Sequence, residues 1–422
     1  MRVLYSLAWL LALPFAFLYL LWRSRRQPAY LRHWGERLGW APRSHYRPVI
    51  WIHAVSVGET RAAAPLVDAL RLKHPGHAIL ITHATPTGRA TGHELFGDQV
   101  CRAYLPYDFP PLVWLFLKRV RPELGIVMET ELWPNLFRAC RGKDIPVLLV
   151  NARLSERSAR GYQRFASLAR MALTDLAAIA TQTEADAARL QALGAKTVQV
   201  TGNVKFDATP PVDTQAKTAE LRSLFAGRFV FLCASTREGE EALLLDALAD
   251  QSLPNVLLVI VPRHPQRFNA VADLLRSRAL PFVQRSDGKT INTDTRVFLG
   301  DSMGELAAYY AAADLCYVGG SLLPLGGQNM IEAAAAGCPA LIGPHTWNFL
   351  EAAEQAVAWG AALRVADDVE LRNALVALLG DLQARQRMAE AGLAFAQANR
   401  GATERTMALV ESALTSAGHP GP

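Results

Sequence analysis

The fold is decided by a glycine-rich stretch, VGGSLLPLGGQNMIEA, at residues 318–333. An apolar run, residues 313–318, leads into the first glycine pair, and an alanine-rich segment follows the second pair. Glycine lets the backbone approach a ligand closely, and a helix N-terminus presents free N–H groups with a partial positive charge. The stretch therefore predicts a phosphate cradle at the carboxyl end of a strand, where open α/β sheets bind ligands. A plain strand-to-helix connection has the same pattern, so both readings stay open from this stretch alone.

Short apolar runs alternate with helical patterns on both sides of this stretch, which predicts βαβ units and parallel sheets. A turn-rich linker at residues 207–214 divides the alternation into two halves. We predict an α/β fold with a membrane anchor (1–26), an N-terminal domain (27–207), a linker (208–228) and a C-terminal domain (229–422), the two domains facing a cleft. The predicted strands are Val49–Val55, Ala78–His83, Leu124–Met128, Val147–Asn151, Leu176–Thr181, Val198–Thr201, Phe229–Ala234, Val256–Val261, Arg296–Gly300, Asp314–Val318 and Ala340–Gly343.

The N-terminus carries an uncharged apolar run, Val3 to Trp22, whose 20 residues are enough to cross a bilayer core. Arg2 alone precedes the run, whereas four arginines follow it within ten residues. The positive-inside rule then places the rest of the chain in the cytoplasm. A cleaved signal peptide is the alternative, but its charge bias would be the reverse and no clear A-x-A site follows. We therefore predict a retained anchor.

The net charge of +6 is unevenly distributed: residues 1–50 contain eight arginines and one acid, so the remainder is close to neutral. The basic surface from Arg23 to Arg47 therefore suits anionic lipid headgroups, and we predict a membrane partner and no nucleic acid. Five cysteines occur singly, as small buried side chains in a reducing compartment do.

Motifs of several common enzyme classes are missing from the sequence: it has no G-x-x-x-x-G-K-[ST], H-E-x-x-H, G-x-S-x-G or D-x-D. We accordingly predict no metal ion and no cofactor. Three strand ends instead run into S-x-x-E, the sequence form of a helix capping box, which would place N–H donors and a carboxylate at the ligand-binding edge. These are Ser56–Glu59, Ser235–Glu238 and Ser302–Glu305.

Further polar residues follow predicted strands. Arg263 and His264 stand between two prolines after residues 256–261, and an arginine there suits a phosphate or carboxylate. Lys205 follows residues 198–201, and Glu129 with Glu131 follows residues 124–128. A surface turn or a solvated loop is the alternative for each of them.

Eight segments carry a more specific pattern: residues 53–60, 129–135, 151–155, 202–207, 235–240, 262–265, 300–305 and the opening stretch. In this order, and with the apolar N-terminus, they resemble the 3-deoxy-D-manno-octulosonic acid (Kdo) transferases. That family moves Kdo from CMP-Kdo to the lipid A precursor of Gram-negative bacteria. The resemblance covers essentially the whole chain. It departs at Gln328, where many relatives would have histidine, and the departure bears on a donor contact and not on the reaction type.

The resemblance implies a GT-B glycosyltransferase of the inner membrane, in which two Rossmann-like domains bind the acceptor (N-terminal) and the donor (C-terminal). It makes Glu59 the general base and assigns Glu129 and Lys205 to transition-state stabilisation. It also implies CMP contacts at Arg263, His264, Met303, Gly304, Glu305, Asn329, Met330, Ile331 and Glu332.

The chemistry agrees with these residues. A CMP leaving group carries one phosphate, which a helix N-terminus with arginine or lysine can stabilise without a metal. Direct attack by an acceptor hydroxyl, deprotonated by Glu59, would invert the anomeric centre of Kdo on transfer to lipid IVA. Two alternatives remain open: another membrane-associated nucleotide-sugar enzyme, either a glycosyltransferase or an epimerase, and a noncatalytic binding protein of the same fold.

Overall fold

Two seven-stranded parallel sheets form the framework of the chain in its computed structural model, which describes residues 1–43, 48–248 and 255–418. Arg47, at the end of the predicted basic surface, lies outside these ranges. The strands are β1 Val49–His53, β2 Ala78–His83, β3 Cys101–Tyr104, β4 Pro122–Met128, β5 Val147–Ala152, β6 Ala178–Thr181, β7 Val198–Val200, β8 Phe229–Thr236, β9 Val256–Pro262, β10 Phe282–Gln284, β11 Val297–Leu299, β12 Leu315–Val318, β13 Ala340–Ile342 and β14 Ala362–Arg364.

Helices connect these strands, as parallel pairing requires. They are α1 Arg2–Ser24, α2 Val57–Ala62, α3 Ala64–Lys73, α4 Pro86–Phe96, α5 Pro110–Val120, α6 Pro134–Arg141, α7 Glu156–Gln163, α8 Ala166–Thr174, α9 Glu184–Ala192, α10 Thr214–Leu224, α11 Glu240–Ala247, α12 Phe268–Ser277, α13 Leu306–Ala312, α14 Ile331–Ala335, α15 Leu350–Ala358, α16 Asp368–Gly380, α17 Leu382–Ala398 and α18 Ala402–Ser416.

The first sheet has the strand order β3-β2-β1-β4-β5-β6-β7. The order of the chain reverses between β1 and β4, which makes the carboxyl ends of these two strands the expected ligand site. Both strands are buried, and their close approach needs a glycine: a Cβ at Gly125 of β4 would lie 2.8 Å from the Trp51 ring. Apolar clusters cover both faces of this sheet.

The second sheet has the order β10-β11-β9-β8-β12-β13-β14, and its chain order reverses between β8 and β12. Fully buried side chains such as Phe231, Ile260 and Tyr317 fill its core. The two sheets confirm the predicted α/β architecture of two Rossmann-like units. All eleven predicted strands are present with ends within two residues. The three strands that were not predicted, β3, β10 and β14, are short edge strands.

The domain boundaries differ from the predicted ones. One compact unit comprises Met1–Ala208 with Arg400–Pro422, and the other comprises Thr209–Asn399. The predicted linker 208–228 contains α10, and α18 groups with the first unit although residues up to 422 were expected in the second. The reason is local: the Asp207 carboxylate accepts the N–H groups of Gly401 and Thr403 at 2.7 and 2.6 Å and so caps α18.

The N-terminal helix α1 is long and apolar enough to cross a membrane. The helix meets this criterion by its length and composition. One side of α1 packs against the first unit, and Leu20 is buried there.

Candidate functional site

Glu59 lies in the first turn of α2, at the carboxyl edge of the first sheet. Ser56 caps this helix, and its hydroxyl accepts the N–H of Glu59. In return, the Glu59 carboxylate accepts hydrogen bonds from the Val55 N–H at 2.7 Å and from the Ser56 hydroxyl at 3.2 Å. This reciprocal arrangement resembles the capping box predicted from the S-x-x-E pattern, but the carboxylate accepts the N–H of Val55, one residue before the cap, and not that of Ser56 itself. It fixes a carboxylate at the edge where a parallel sheet binds its ligands.

Glu129 and Lys205 form an ion pair at the same edge. Glu129 follows β4 directly and has a left-handed backbone, with φ of +56°, which costs free energy for a non-glycine residue. Its N–H donates to the carbonyl of Val150 at 2.8 Å, so the conformation is fixed by the sheet. Lys205 lies in the short 3₁₀ turn Val204–Asp207, and its Nζ is 2.9 Å from Glu129 Oε1. The structure thus brings two of the three predicted catalytic side chains into contact.

Three carboxylates share this edge and influence one another. Burial raises the pKa of Glu59 to about 8, and the negative charges of Glu129 and Glu131 add to the increase. Hydrogen bonds from Val55 and Ser56 oppose it only in part. Burial likewise raises the pKa of Glu131, with Glu129 again adding to it. Glu59 therefore exchanges its proton in the pH range where a general base is most effective.

Two fully buried polar residues lie at the carboxyl ends of β1 and β5 beside this cluster, and no sequence motif assigned them an individual role. His53 Nδ1 lies 2.9 Å from Thr82 Oγ1, and burial lowers the pKa of His53 to about 3, so the ring is neutral. Asn151 Oδ1 accepts the N–H of Val204 at 3.2 Å. In the described part of the chain, neither His53 Nε2 nor Asn151 Nδ2 has a hydrogen-bond partner. The sequence signal that could have identified such residues is a polar side chain at the end of an apolar run.

In the second unit, Arg263 and His264 follow β9 at the carboxyl edge of its sheet. The Arg263 N–H donates to the carbonyl of Thr236 at 3.0 Å, which ties this loop to the end of β8. His264 is exposed, and partial burial together with the positive charges of Arg237, Arg263 and Arg267 lowers its pKa. Three arginines thus surround one loop, and the sequence singled out only one of them.

The first glycine pair is not an open phosphate cradle, so at this pair the structure favours the plain connection, one of the two readings that the stretch left open. The Gly320 N–H donates to the carboxylate of Glu240 at 2.6 Å, so a group of the protein itself takes the anion position. Glu240 is fully buried and also accepts the hydroxyl of Tyr317 at 2.5 Å. Glycine is required at 319 because a Cβ there would lie 2.5 Å from the carbonyl oxygen of Ser235.

The second glycine pair precedes α14, which has only five residues. The Asn329 side chain folds back on this helix: Oδ1 accepts the N–H of Ile331 at 3.2 Å, and Nδ2 donates to Glu332 Oε1 at 2.9 Å. The side chains of Met330 and Ile331 are buried in the core. Of these four predicted CMP contacts, Asn329 and Glu332 present polar side chains, and the other two can offer only backbone groups.

Glu305 is held by two cations at the carboxyl edge after β11. Its carboxylate accepts from Arg285 Nε at 3.2 Å, and Lys217 Nζ lies 3.6 Å away. Burial favours a higher pKa for Glu305, but the hydrogen bonds from Arg285 and Ser302 outweigh it and hold the pKa below its usual value. Of the two preceding residues, Met303 is exposed and Gly304 has a left-handed backbone with φ of +80°.

The second and third S-x-x-E patterns are not capping boxes. Helix α11 begins at Glu240 after Gly239, and α13 begins at Leu306. Neither Glu238 nor Glu305 therefore stands at the third position of a helix. The Glu238 side chain is 92% exposed.

Tyr310 lies on α13 in the second unit. This fully buried residue has a pKa well above its usual value because of burial, and the charges of Glu332 and Arg263 act on it in opposite directions. Within the described ranges, the protein gathers no group of three His, Cys, Asp or Glu side chains that would hold a metal ion.

A family model and two relatives that align over nearly the whole chain carry the same description. The family model for 3-deoxy-D-manno-octulosonic-acid transferase (kdotransferase) matches residues 32–208. The 3-deoxy-D-manno-octulosonic acid transferase of Bordetella pertussis is 42% identical, covering 98% of this chain and 99% of its own. The enzyme of the same name from Haemophilus influenzae is 38% identical, with coverage of 98% and 99%.

A solved structure shows the same fold at low identity. The UDP-GlcNAc 2-epimerase from Neisseria meningitidis, bound to UDP-GlcNAc, covers 86% of this chain and 99% of its own. The TM-score is 0.60 and the sequence identity is 16%. At that identity the likeness concerns the two-unit GT-B type fold alone.

Proposed function

Because the chain belongs to the family of 3-deoxy-D-manno-octulosonic acid (Kdo) transferases, we propose that it moves Kdo from CMP-Kdo to lipid IVA in lipopolysaccharide biosynthesis, with inversion at the anomeric carbon. The enzyme class follows from relatives that align over nearly the full length of both chains. The donor, the acceptor and the stereochemistry are our proposal. The observation that supports the reaction most directly is the partly buried Glu59 carboxylate beside the Lys205–Glu129 ion pair.

Glu59 is the general base. Its raised pKa means that the ionised form is a stronger base than an exposed carboxylate. The proton of the acceptor hydroxyl passes to Glu59 as the oxygen forms its bond to the anomeric carbon of Kdo. The bond from that carbon to the phosphate oxygen breaks, and CMP leaves with the electron pair. A single displacement of this kind inverts the centre.

Lys205 and Glu129 stabilise the transition state. An oxocarbenium-like sugar carries positive charge at its ring, and the Kdo carboxylate and departing phosphate carry negative charge. The ion pair presents both signs, and Glu129 holds the Lys205 ammonium in one position at 2.9 Å. Preorganised charges of this kind lower a barrier because they need no rearrangement during the reaction.

The second unit binds the CMP moiety. The loop of Arg263 and His264, with Arg237 and Arg267 near it, supplies positive charge for the phosphate. Glu332 accepts hydrogen bonds from the ribose hydroxyls. The segments Met303–Glu305 and Asn329–Glu332 complete the site, with Met330 and Ile331 contributing backbone groups. No metal ion or cofactor takes part in this scheme.

The acceptor binds the first unit, which also carries the apolar helix α1. A lipid acceptor must be taken from a membrane, so the enzyme works at the inner membrane with both units on the cytoplasmic side. The arginines that follow α1 favour that side.

Product analysis tests the proposal. The purified full chain is incubated with CMP-Kdo and lipid IVA in detergent micelles containing EDTA, and the lipid is examined by mass spectrometry. We expect a Kdo adduct and release of CMP, and the spectrum also counts the Kdo residues added. UDP-GlcNAc serves as the alternative donor: turnover of it in place of CMP-Kdo would indicate another nucleotide-sugar transferase or an epimerase. Tight CMP-Kdo binding without any product would indicate a noncatalytic binding protein.

A further inference from the structure

One side of the N-terminal helix α1 contacts the first unit, and Leu20 is the one buried residue of the helix. Near its start, the Ser6 hydroxyl donates to Asn135 Oδ1 at 3.2 Å, and in its last turn Arg23 donates to the Tyr30 hydroxyl at 2.8 Å. These two points are separated by about 26 Å along a helix, close to the thickness of a bilayer's hydrocarbon core. Aromatic pairs continue the contact between them: Trp9 with Tyr107, Phe17 with Tyr107, and Phe17 with Trp34.

This packing is incompatible with a helix that crosses the bilayer. Asn135 lies in the first turn of α6, where the buried carboxylate of Asp108 accepts the N–H groups of Asn135 and Leu136 at 3.0 and 2.8 Å. The same helix carries Arg138 and Arg141, each with a side chain more than half exposed. If α1 spanned the membrane with these contacts intact, α6 would lie deep in hydrocarbon, where exposed charges are rare and costly. The helix can therefore keep its contacts or cross the membrane, and it cannot do both.

The other side of α1 is a continuous apolar face. Its large side chains recur every three or four residues, which aligns them along one side of a helix. No described residue of the first unit covers them. An exposed apolar surface of this length marks an interaction site. The face consists of Leu4, Leu7, Leu11, Phe15, Leu18 and Trp22.

The partner of this apolar face is indicated by the residues around it. Cations and exposed tryptophans lie at the end of α1 and on neighbouring elements. Arg25 and Arg26 directly follow the helix, and Arg32 comes six residues later. Three tryptophans of the first unit are each more than half exposed and each has a cation near its ring: Trp22 with Arg26, Trp40 with Arg119, and Trp114 with Lys118. Tryptophan and basic side chains together are typical of the headgroup region of a membrane. An apolar protein surface would offer these cations no counter-charge.

We propose that α1 lies in the plane of a single leaflet, with its apolar face among the acyl chains and its packed face against the first unit. Both ends of the helix are then on the same side of the membrane as the rest of the chain. This arrangement replaces the spanning anchor predicted from sequence, because length and hydropathy describe the exposed face of α1 but not the packed one. The inference concerns membrane topology alone, so it does not depend on which sugar or lipid the enzyme uses.

Cysteine accessibility tests the topology in the full-length protein. Cys101, the exposed cysteine of the described residues, is replaced by serine, and single cysteines are introduced as Arg2→Cys or Arg25→Cys. Right-side-out and inverted inner-membrane vesicles are treated with a membrane-impermeant maleimide. We expect both positions to react only in inverted vesicles. Loss of the Arg2 charge favours export of the N-terminus, so this variant biases the test against the proposal.

A disulfide provides the second measurement. Ser6 and Asn135 are in contact, so the double variant Ser6→Cys, Asn135→Cys should cross-link on oxidation in membranes, whereas Leu11→Cys, Asn135→Cys should not because Leu11 is on the exposed face. Labelling of Arg2→Cys from the side opposite to Arg25→Cys would overturn the proposal. So would recovery of the wild-type chain in the soluble fraction, or failure of the first pair to cross-link while its thermal midpoint stays that of the wild type.

Discussion

The two units have the same architecture and opposite chemistry. Each places its candidate residues at the carboxyl edge of a seven-stranded parallel sheet. In the first unit that edge gathers three carboxylates, Glu59, Glu129 and Glu131, with one lysine. In the second unit it gathers three arginines around His264.

This difference matches the division of roles that we propose for the two units in group transfer. A carboxylate cluster raises its own pKa values and suits proton abstraction, whereas an arginine-lined loop suits an anionic leaving group. The second unit also contains buried carboxylates, but these bind other groups of the protein. Glu240 accepts the Gly320 N–H, and Glu241 pairs with Arg267 at 2.8 Å. We therefore expect substitutions in the first unit to reduce kcat and those in the second to raise the KM for the donor.

The largest expected effect is at Glu59. Glu59→Gln retains the shape of the side chain but cannot accept a proton, so kcat should fall roughly 10²- to 10⁴-fold. Steady-state release of CMP measures it. Glu123→Gln is the matched control, since Glu123 lies at the opposite end of the same sheet, near His77, and should leave kcat unchanged. Full activity of the Glu59 variant would remove it from the reaction.

Lys205 should come next. Lys205→Met removes the ammonium and leaves Glu129 uncompensated, so kcat should fall on the order of 10²-fold with little change in the donor KM. Lys205→Arg keeps the charge and should recover part of the rate. Equal losses in both variants would mean that side-chain shape, and not charge, is what the reaction needs.

Arg263 tests the second half of the comparison. Arg263→Ala should raise the KM for the donor by roughly 10- to 100-fold, as loss of a charged hydrogen bond to a phosphate does, while kcat changes little. Arg276→Ala is the control because Arg276 is exposed on α12 and pairs with Asp273. A fall in kcat at an unchanged KM would contradict the division of roles between the units.

The sequence predicted the parts of the fold that apolar periodicity encodes. Central strands such as β4 and β9 are continuous buried runs and were located within two residues. The edge strand β10 has only three half-buried residues, and such a segment leaves no periodic signal. The grouping of α18 with the first unit depends on Asp207, about 200 residues earlier in the chain, which no local pattern reveals.

At the candidate site, the sequence identified residues but not their partners. Glu59 was recognisable because a capping box is a local pattern, whereas the same pattern at residues 302–305 forms no cap. The glycine-rich stretch left a phosphate cradle and a plain connection open, and the carboxylate that binds the Gly320 N–H comes from 80 residues earlier in the chain. Pairings across a sheet edge depend on strand order, which the sequence alone does not specify.

The smallest expected effect is a shift in pH dependence. Burial and the Glu129 charge raise the pKa of Glu59 to about 8, so the ionised base forms, and kcat/KM rises, as pH increases through that value. Glu129→Gln removes the negative charge beside Glu59. The loss of this charge stabilises ionised Glu59 and lowers its pKa, so the acid limb of the kcat/KM profile moves to lower pH by up to about 1 unit. Glu131→Gln should move the limb in the same direction but less, because Glu131 contributes less to the shift. Glu123→Gln should not move it. An acid limb at the wild-type position in Glu129→Gln, whatever the residual rate, would show that the carboxylates of the first unit are not coupled and that Glu59 owes its basicity to burial alone.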